Sequence, residues 1–285
     1  MKYLIVLLLC TLAISKVTAQ GAFAKKNVKD LSGSLLFNGL IFSTVAILFS
    51  WQVVNASVPV WIYGVLFGAF SAGFQICYTR ALALGNVSIT VLVVNLSMIF
   101  PIMVSFLVFN EPMSVMRIIG IVLTIVSFFV VTDFSERKKL DFKWLSLAFA
   151  AMMFNCALTI TQKVFGKSEF TSQNETFISC GYISAAVISL IIYLIVRRKT
   201  DLLSIRKKPS ILLYAAMAGT FLATFQFFYT NAISAIDGTF LFPAYSGGCI
   251  VLSTVFSLVV FKERLNKKQI LGLIIGTAAL VLMNF

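Results

Sequence analysis

Long apolar runs, separated by short polar connections, make up almost the whole chain. Each run is close to the twenty or so residues that a helix needs to cross a hydrocarbon core about 30 Å thick. The runs are apolar on all sides and lack the two-residue alternation of a barrel strand, so helices are the structure that satisfies their backbone in lipid. The ten runs are 3–22, 34–54, 60–79, 88–109, 115–132, 144–165, 176–196, 210–231, 239–260 and 267–284. The pattern predicts an all-α, polytopic membrane protein with ten transmembrane helices.

The pattern repeats after 151 residues. Between residues 63–81 and 214–232, nine of nineteen positions are identical. The matched pairs include Gly68 with Gly219, Phe74-Gln75 with Phe225-Gln226, Tyr78-Thr79 with Tyr229-Thr230, and, further on, the non-identical pair Asn95 with Ser246. The repeat divides the chain into halves of five runs each, 1–133 and 143–285. Because five is odd, equivalent helices must cross the membrane in opposite directions, which predicts two inverted five-helix repeats.

Composition supports the membrane interpretation, and charge predicts an orientation. Hydrophobic residues make up 60% of the chain and charged residues only 12%, about half the charged share of a soluble domain. The loops after odd-numbered runs, with their flanks, carry 18 Lys and Arg, against four on the opposite side. The positive-inside rule then places the odd loops in the cytoplasm and both termini outside. This bias also accounts for the net charge of +13, so a nucleic-acid partner is not expected.

The cysteines and the missing histidine limit the metal chemistry. All five cysteines lie within apolar runs without Cys-x-x-Cys spacing, and the chain contains no histidine. We therefore expect neither a disulfide scaffold nor a zinc site, and no cofactor.

The N-terminus resembles a cleavable signal peptide, with an apolar stretch over residues 3–14 followed by Val17-Thr18-Ala19. The apolar character nevertheless continues through Ala24, and the second half opens with a full helix that needs a counterpart. We expect this segment to remain as the first span.

Two equivalent stretches of the halves resemble a known domain. They run from Tyr78-Thr79-Arg80-Ala81-Leu82 through Pro101 to Phe109-Asn110-Glu111, and from Tyr229 to Phe261-Lys262-Glu263-Arg264-Leu265. A helix ending in Tyr-x-x-Ala, and a glutamate turn before a glycine-containing last helix, resemble the EamA domain. Two such domains in tandem resemble the ten-helix members of the drug/metabolite transporter superfamily. The resemblance implies a transporter. The first glutamate turn lacks the Arg-Leu of the family pattern, and many members have their termini inside.

Charge within a span is the sharpest functional signal in a membrane chain, because its insertion costs roughly 2.5–3.5 kcal/mol. Lys16 lies well inside the first run, and Lys163 occupies the matching place in the sixth, nearer its end. The alternative is that these side chains snorkel to the interface. All ten acidic residues lie in loops or at helix ends, which disfavours a proton relay or a site for lipophilic cations. Glu111 and Glu263 end the fourth and ninth runs, and helix-end electrostatics explains them better than ligand contact.

Uncharged polar residues at matched places complete the predicted site. An amide without a partner in hydrocarbon is costly, so each should face a partner helix or a cavity. Hydrogen bonding between helices is an equally good interpretation for any one of them. The candidates are Gln75, Tyr78, Asn95, Gln226, Tyr229, Tyr245 and Ser246. Because Tyr245-Ser246-Gly247-Gly248 follows Pro243, we also expect a weakened helix there, as in the discontinuous helices of transporters, although close packing explains the glycines equally well.

The sequence favours a secondary transporter in the plasma membrane that moves a small anionic or zwitterionic metabolite, such as an amino acid, by alternating access. The phosphate-binding pattern Gly-x-x-x-x-Gly-Lys-Ser/Thr does not occur, so an ATP-driven pump would need a separate motor subunit. A membrane enzyme acting on lipid-linked substrates would require carboxylate pairs or His/Arg clusters, which are absent from the sequence. A non-transporting sensor or assembly partner is the remaining alternative. The expected partners are a small-molecule substrate and the lipid bilayer, and the sequence leaves the oligomeric state open.

Overall fold

A computed structural model describes residues 2–27, 31–50, 56–131, 142–196, 210–259 and 266–283. All regular structure within these residues is helical. The helices are α1 Lys2–Asn27, α2 Leu31–Leu48, α3 Val58–Leu84, α4 Val87–Asn95, α5 Ile99–Leu107, α6 Val115–Val131, α7 Phe142–Gly166, α8 Asn174–Val196, α9 Ser210–Ala235, α10 Gly238–Val259 and α11 Lys267–Met283. A 3₁₀ turn, Leu96–Met98, joins α4 to α5, so these two helices form one crossing. The described chain therefore has ten helical segments, one for each predicted span. The end of the run 34–54 lies outside the described residues.

The outer surface is suited to lipid. Seven segments are long and apolar enough to cross a membrane by length and composition alone, and shorter apolar helices cover Val115–Ser127 and Ile270–Ala279. Large apolar side chains are exposed on the outside of the bundle, including Leu4 (71%), Ile62 (58%) and Ile195 (77%). In water such a surface would associate, whereas in hydrocarbon it is fully compatible with its surroundings. The protein is a multi-pass integral membrane protein, as predicted.

The two repeats interleave. α3, the third helix of the first repeat, packs against α7 and α8, the first two helices of the second. In the same way α9 packs against α1 and α2. The pairs α4–α10 and α6–α11 each join a helix to its own equivalent. This exchange of neighbours is what an approximate two-fold relation between the repeats requires, and it puts the centre of the molecule between them.

Matched glycines make the interleaving possible. A Cβ on Gly68 would lie 2.5 Å from the carbonyl oxygen of Gly181 in α8, and one on Gly219 would lie 2.6 Å from Cβ of Thr44 in α2. Small residues allow transmembrane backbones to approach this closely, and van der Waals contact then stabilises the crossing. The identity of these two positions in the repeat therefore has a packing origin.

The helix break lies in the first repeat, which corrects one prediction. α10 runs without interruption from Gly238 to Val259 and includes Pro243. Gly248 supports close packing there instead, since a Cβ would lie 2.5 Å from Sγ of Cys10 in α1. The 3₁₀ turn between α4 and α5 precedes Pro101. A proline ring clashes with the carbonyl four residues earlier, here that of Ser97, which explains the local change of helix type.

Candidate functional site

A central cavity of about 870 Å³, including its open part, lies between the repeats and is lined by eight of the helices. Residues from matched positions of both repeats face it. The lining residues are Ala13, Ile14, Lys16, Val17, Phe42, Ser71, Phe74, Gln75, Tyr78, Val91, Val94, Asn95, Met98, Asn155, Leu158, Thr159, Gln162, Tyr182, Leu222, Phe225, Gln226, Tyr229, Tyr245 and Cys249. An apolar wall with a few convergent polar groups is typical of a small-molecule site.

Lys16 is the one charged residue among those that line the cavity. Its side chain is 7% exposed, and its Nζ donates a hydrogen bond of 3.1 Å to Oε1 of Gln75. The ammonium also lies 5.6 Å from the ring centroids of both Phe74 and Tyr78. Aromatic faces and an amide oxygen thus stabilise the cation, while its charge is left without a carboxylate in the cavity wall.

A buried chain of hydrogen bonds holds Gln75 in place. Gln75 Nε2 donates to Oε1 of Gln20 (3.2 Å), and Gln20 Nε2 donates to Oγ1 of Thr79 (2.6 Å). Thr79 Oγ1 donates to Oδ1 of Asn38 (2.8 Å), and Asn38 Nδ2 donates to the backbone carbonyl of Gln75 (3.0 Å), which closes the network. The network ties α1, α2 and α3 together. It fixes the rotamer that presents Gln75 Oε1 to Lys16.

The second repeat presents a related arrangement in the same cavity. Gln162 Nε2 donates to Oε1 of Gln226 (3.0 Å) and Oγ1 of Thr230 (3.1 Å). Gln226 Nε2 donates to the hydroxyl of Tyr182 at 2.6 Å. Oε1 of Gln162 is buried and has no hydrogen-bond partner within the described structure.

Matched aromatic pairs flank the two glutamines. The rings of Phe74 and Tyr78 stack at 5.1 Å and 18°, and those of Phe225 and Tyr229 at 4.9 Å and 22°. Tyr245 lies 5.5 Å from Phe225 and 5.3 Å from Tyr229. The cavity therefore has two similar aromatic walls, of which the second carries an extra tyrosine.

Asn95 and Ser246, a matched pair of the repeat, are in contact. Ser246 Oγ donates to the backbone carbonyl of Asn95 at 3.2 Å, and Asn95 Nδ2 donates to the carbonyl of Val91 at 2.8 Å. A residue that touches its own equivalent lies beside the axis that relates the two copies. Asn95 lines the cavity at this axis, whereas Ser246 lies behind it as a packing partner.

Lys163 points away from the cavity into a buried ion pair. Its Nζ lies 2.5 Å from Oε1 of Glu111, and the two side chains are 0% and 5% exposed. Glu111 Oε2 accepts hydrogen bonds from the backbone N–H groups of Gly238 (2.6 Å) and Thr239 (3.3 Å), the first residues of α10. A carboxylate at a helix N-terminus is favoured by the unpaired N–H groups and by the helix dipole. We call this set, Glu111, Lys163 and the N-terminus of α10, the Glu111 latch.

The latch joins three segments at one end of the bundle, the end where α7 finishes and α10 begins. Asn110 has φ of 51°, a left-handed conformation that asparagine tolerates, and it turns the chain after α5 so that Glu111 faces inward. Arg117 reinforces the join by donating to the carbonyl of Pro112 (2.6 Å) and to Oγ1 of Thr239 (2.9 Å). Glu263, the sequence match of Glu111, lies outside the described residues.

Seven of the nine residues predicted from the sequence line the cavity together, and Lys163 and Ser246 do not. Among the polar lining residues, the sequence prediction missed Ser71, Asn155, Thr159, Gln162 and Tyr182. Polarity in the middle of a span was the available signal for Asn155, whose Nδ2 donates to Oγ of Ser97 at 2.7 Å. No group of three His, Cys, Asp or Glu side chains that could hold a metal occurs among the described residues.

Comparison with known proteins decides the family. Residues 3–133 and 142–285 each match the EamA-like transporter family. The chain belongs to that family. A tandem EamA arrangement places it in the drug/metabolite transporter superfamily.

The individual relatives bear on the fold alone. An uncharacterised protein of Haemophilus influenzae is 28% identical over 200 residues. The alignment covers 67% of this chain and 64% of that relative, slightly less than two thirds of the relative's length. A solved structure titled "Crystal structure of protein" superposes with a TM-score of 0.73 over 99% of this chain and 95% of its own, at 14% identity. That structure supports the fold of this EamA-like protein.

Proposed function

We propose that this EamA-like protein is a secondary transporter of the plasma membrane that carries a small anionic or zwitterionic metabolite by alternating access. The substrate binds in the cavity between the two repeats, 1–133 and 143–285. The observation that carries the proposal is Lys16, the sole charged side chain among the described cavity-lining residues. Its proposed partners in the site are Gln75, Tyr78 and Asn95 of the first repeat, with Gln226, Tyr229 and Tyr245 of the second.

The electrostatics of Lys16 favour an anionic group in the substrate. Burial of an unpaired ammonium costs several kcal/mol, and one amide oxygen with two aromatic faces offsets only part of that cost. Snorkelling is a poor description of this side chain, because it is 7% exposed and bonded to Gln75 inside the bundle. A carboxylate or phosphate that enters the cavity would complete the charge pair. A small cation would instead be repelled by the Lys16 ammonium.

The Glu111 latch supports the alternating-access part of the proposal. It ties the loop before α6, the end of α7 and the start of α10 at one end of the bundle. Access from that end requires these segments to separate, so the ion pair and the two backbone hydrogen bonds must break. A salt bridge with two discrete arrangements is a suitable two-state element for such a change. In the proposed cycle the latch is closed in this structure. It opens when the cavity becomes accessible from the end of the bundle at which the latch lies.

The substrate class is tested by a ligand screen followed by transport. The purified protein is screened by thermal shift against a panel of amino acids and small carboxylates, and each ligand that binds is measured as a tracer in counterflow into proteoliposomes. We expect saturable counterflow of at least one anionic or zwitterionic solute. Lys16→Ala should abolish it while leaving expression and folding largely intact.

Lys2→Ala is the matched control, because Lys2 is an exposed lysine at the N-terminal end of the same helix. It should transport normally. Tracer binding without any counterflow would favour a sensor over a transporter, and normal counterflow by Lys16→Ala would remove the reason for an anionic substrate.

A further inference from the structure

The first repeat shows how this fold holds an ammonium group. Lys16 Nζ lies over two stacked rings, Phe74 and Tyr78, each at 5.6 Å from the centroid. The neighbouring amide of Gln75 supplies an oxygen acceptor at 3.1 Å. Two aromatic faces and one amide oxygen are a recurrent receptor for organic cations.

The second repeat contains the same three residue types at the same spacing, as Phe225, Gln226 and Tyr229. The stacking of its rings is nearly the same, at 4.9 Å and 22° against 5.1 Å and 18°. The equivalent lysine, Lys163, is drawn into the Glu111 latch. Its Nζ lies 5.9 Å from the rings of Phe109 and Phe242 instead, so it leaves the second aromatic pair to face the cavity.

An unused acceptor lies beside that second pair. The oxygen of Gln226 already accepts from Gln162 Nε2, but Oε1 of Gln162 has no partner within the described structure. Gln162 is 0% exposed and lines the cavity. A buried acceptor without a donor is unfavourable, and a ligand N–H directed at it would remove that penalty. Tyr245, packed against both rings, forms a third aromatic side of the same pocket.

We propose that Phe225, Tyr229 and Oε1 of Gln162 form a subsite for the protonated amine of the substrate, in the same cavity as Lys16. The inference rests on the proposed function and narrows it. The substrate carries an ammonium and a carboxylate in one small molecule, and its carboxylate lies between the two cations. Charges then alternate from Lys16 to the carboxylate to the amine, which offsets the repulsion between the two ammonium groups.

The test compares one molecule with its two halves. The probes are L-leucine, its deaminated form 4-methylpentanoate and its decarboxylated form 3-methylbutylamine, together with the same triplets for the other amino acids that bind in the screen. The dissociation constants come from calorimetry on the purified wild-type protein. We expect the amino acid to bind more tightly than the carboxylate by about 2- to 30-fold for the aromatic contacts alone, and more with the hydrogen bond to Gln162.

Variants test whether the tighter binding of the amino acid than of the carboxylate depends on the proposed subsite. Phe225→Leu and Gln162→Leu should each reduce the ratio of the amino-acid affinity to the carboxylate affinity. Phe228→Leu, which removes a 38% exposed ring from the lipid-facing side of the same helix, is the control and should leave the ratio unchanged.

Each outcome separates the subsite from the proposed function. If the carboxylate binds as tightly as the amino acid and both depend on Lys16, the amine subsite is wrong and the anionic site stands. If the amine alone binds and Lys16→Ala has no effect, the anionic site is wrong. If no member of any triplet binds, both are overturned. The wild-type comparison requires no variant, so it remains decisive if Phe225→Leu fails to fold.

Discussion

Glu111→Gln offers the sharpest perturbation of the proposed transport cycle. Glutamine keeps an oxygen that can accept from Gly238 and Thr239 at the start of α10, but it removes the charge that pairs with Lys163. Because the two side chains are 0% and 5% exposed, the variant leaves an ammonium buried without its partner. Removing one member of a buried pair typically costs about 3–5 kcal/mol. The cost falls on the conformation with the latch closed, since an open end would admit water to Lys163.

This cost sets the expected shift of the equilibrium between the closed and the open latch. At about 1.4 kcal/mol per factor of ten, the loss favours opening of this end by roughly 100- to 4000-fold as an upper bound. Cys249 is a suitable reporter, because it lines the cavity and is 3% exposed. The other four cysteines are replaced by alanine, and Cys249 is labelled with a small membrane-impermeant thiol reagent applied to each side of sealed vesicles. When the reagent is applied on the side of the membrane where the latch lies, Cys249 should be labelled faster in Glu111→Gln than in the wild-type protein. The ratio of the two rates should not exceed the upper bound given above.

Two further variants make the interpretation specific. Glu111→Gln/Lys163→Met removes both charges, and replacing a buried pair by neutral groups is often close to neutral, so its labelling rate should return towards the wild-type value. Glu169→Gln makes the same substitution on an exposed carboxylate at the same end and should change nothing. The reasoning is refuted if folded Glu111→Gln labels at the wild-type rate, or if the double variant labels as fast as Glu111→Gln.

Three other outcomes test separate parts of the account. Lys16→Arg should transport poorly, since a planar fork replaces a compact ammonium, and near-normal counterflow by this variant would favour a lysine that only snorkels. Gly68→Leu should destabilise the α3–α8 crossing by at least the 1–3 kcal/mol typical of overpacking, because its Cβ would lie 2.5 Å from a backbone oxygen. Gly39→Ala is the control for this thermal-unfolding assay. It should be well tolerated, because the added Cβ would lie 3.8 Å from its nearest neighbour. A reporter fused after the last residue should read as extracytoplasmic if the bias of 18 to four governs insertion, and a cytoplasmic signal would reverse the predicted orientation.

The spans were predictable because lipid leaves the backbone few choices. A hydrocarbon core requires every N–H and C=O to pair within its own segment, so apolar length alone determines where helices lie. The run 144–165 corresponds to α7 at Phe142–Gly166, and the run 239–260 to α10 at Gly238–Val259. Helix type within a span was less predictable. Both Pro101 and Pro243 can disturb a helix, yet the helix type changes only before Pro101, whereas α10 continues through Pro243.

The cavity was partly predictable because polar residues recur at matched places in the middle of spans. Gln75 and Gln226 were found in this way, and both line the cavity. The sixth span shows the limit. Gln162 and Lys163 are adjacent, so their side chains point about 100° apart around the helix. The sequence favours the charged residue, yet the amide faces the cavity and the lysine faces Glu111, a partner 52 residues away. Sequence alone cannot supply the rotation of α7 that decides between them.

A structure of the protein with its substrate bound tests the central claim most directly. The account predicts an anionic group of the ligand within hydrogen-bond distance of Lys16 Nζ, about 2.7–3.2 Å, between the aromatic pairs of the two repeats. Density for the ligand outside the cavity, or inside it with Lys16 still bonded only to Gln75, would contradict the claim.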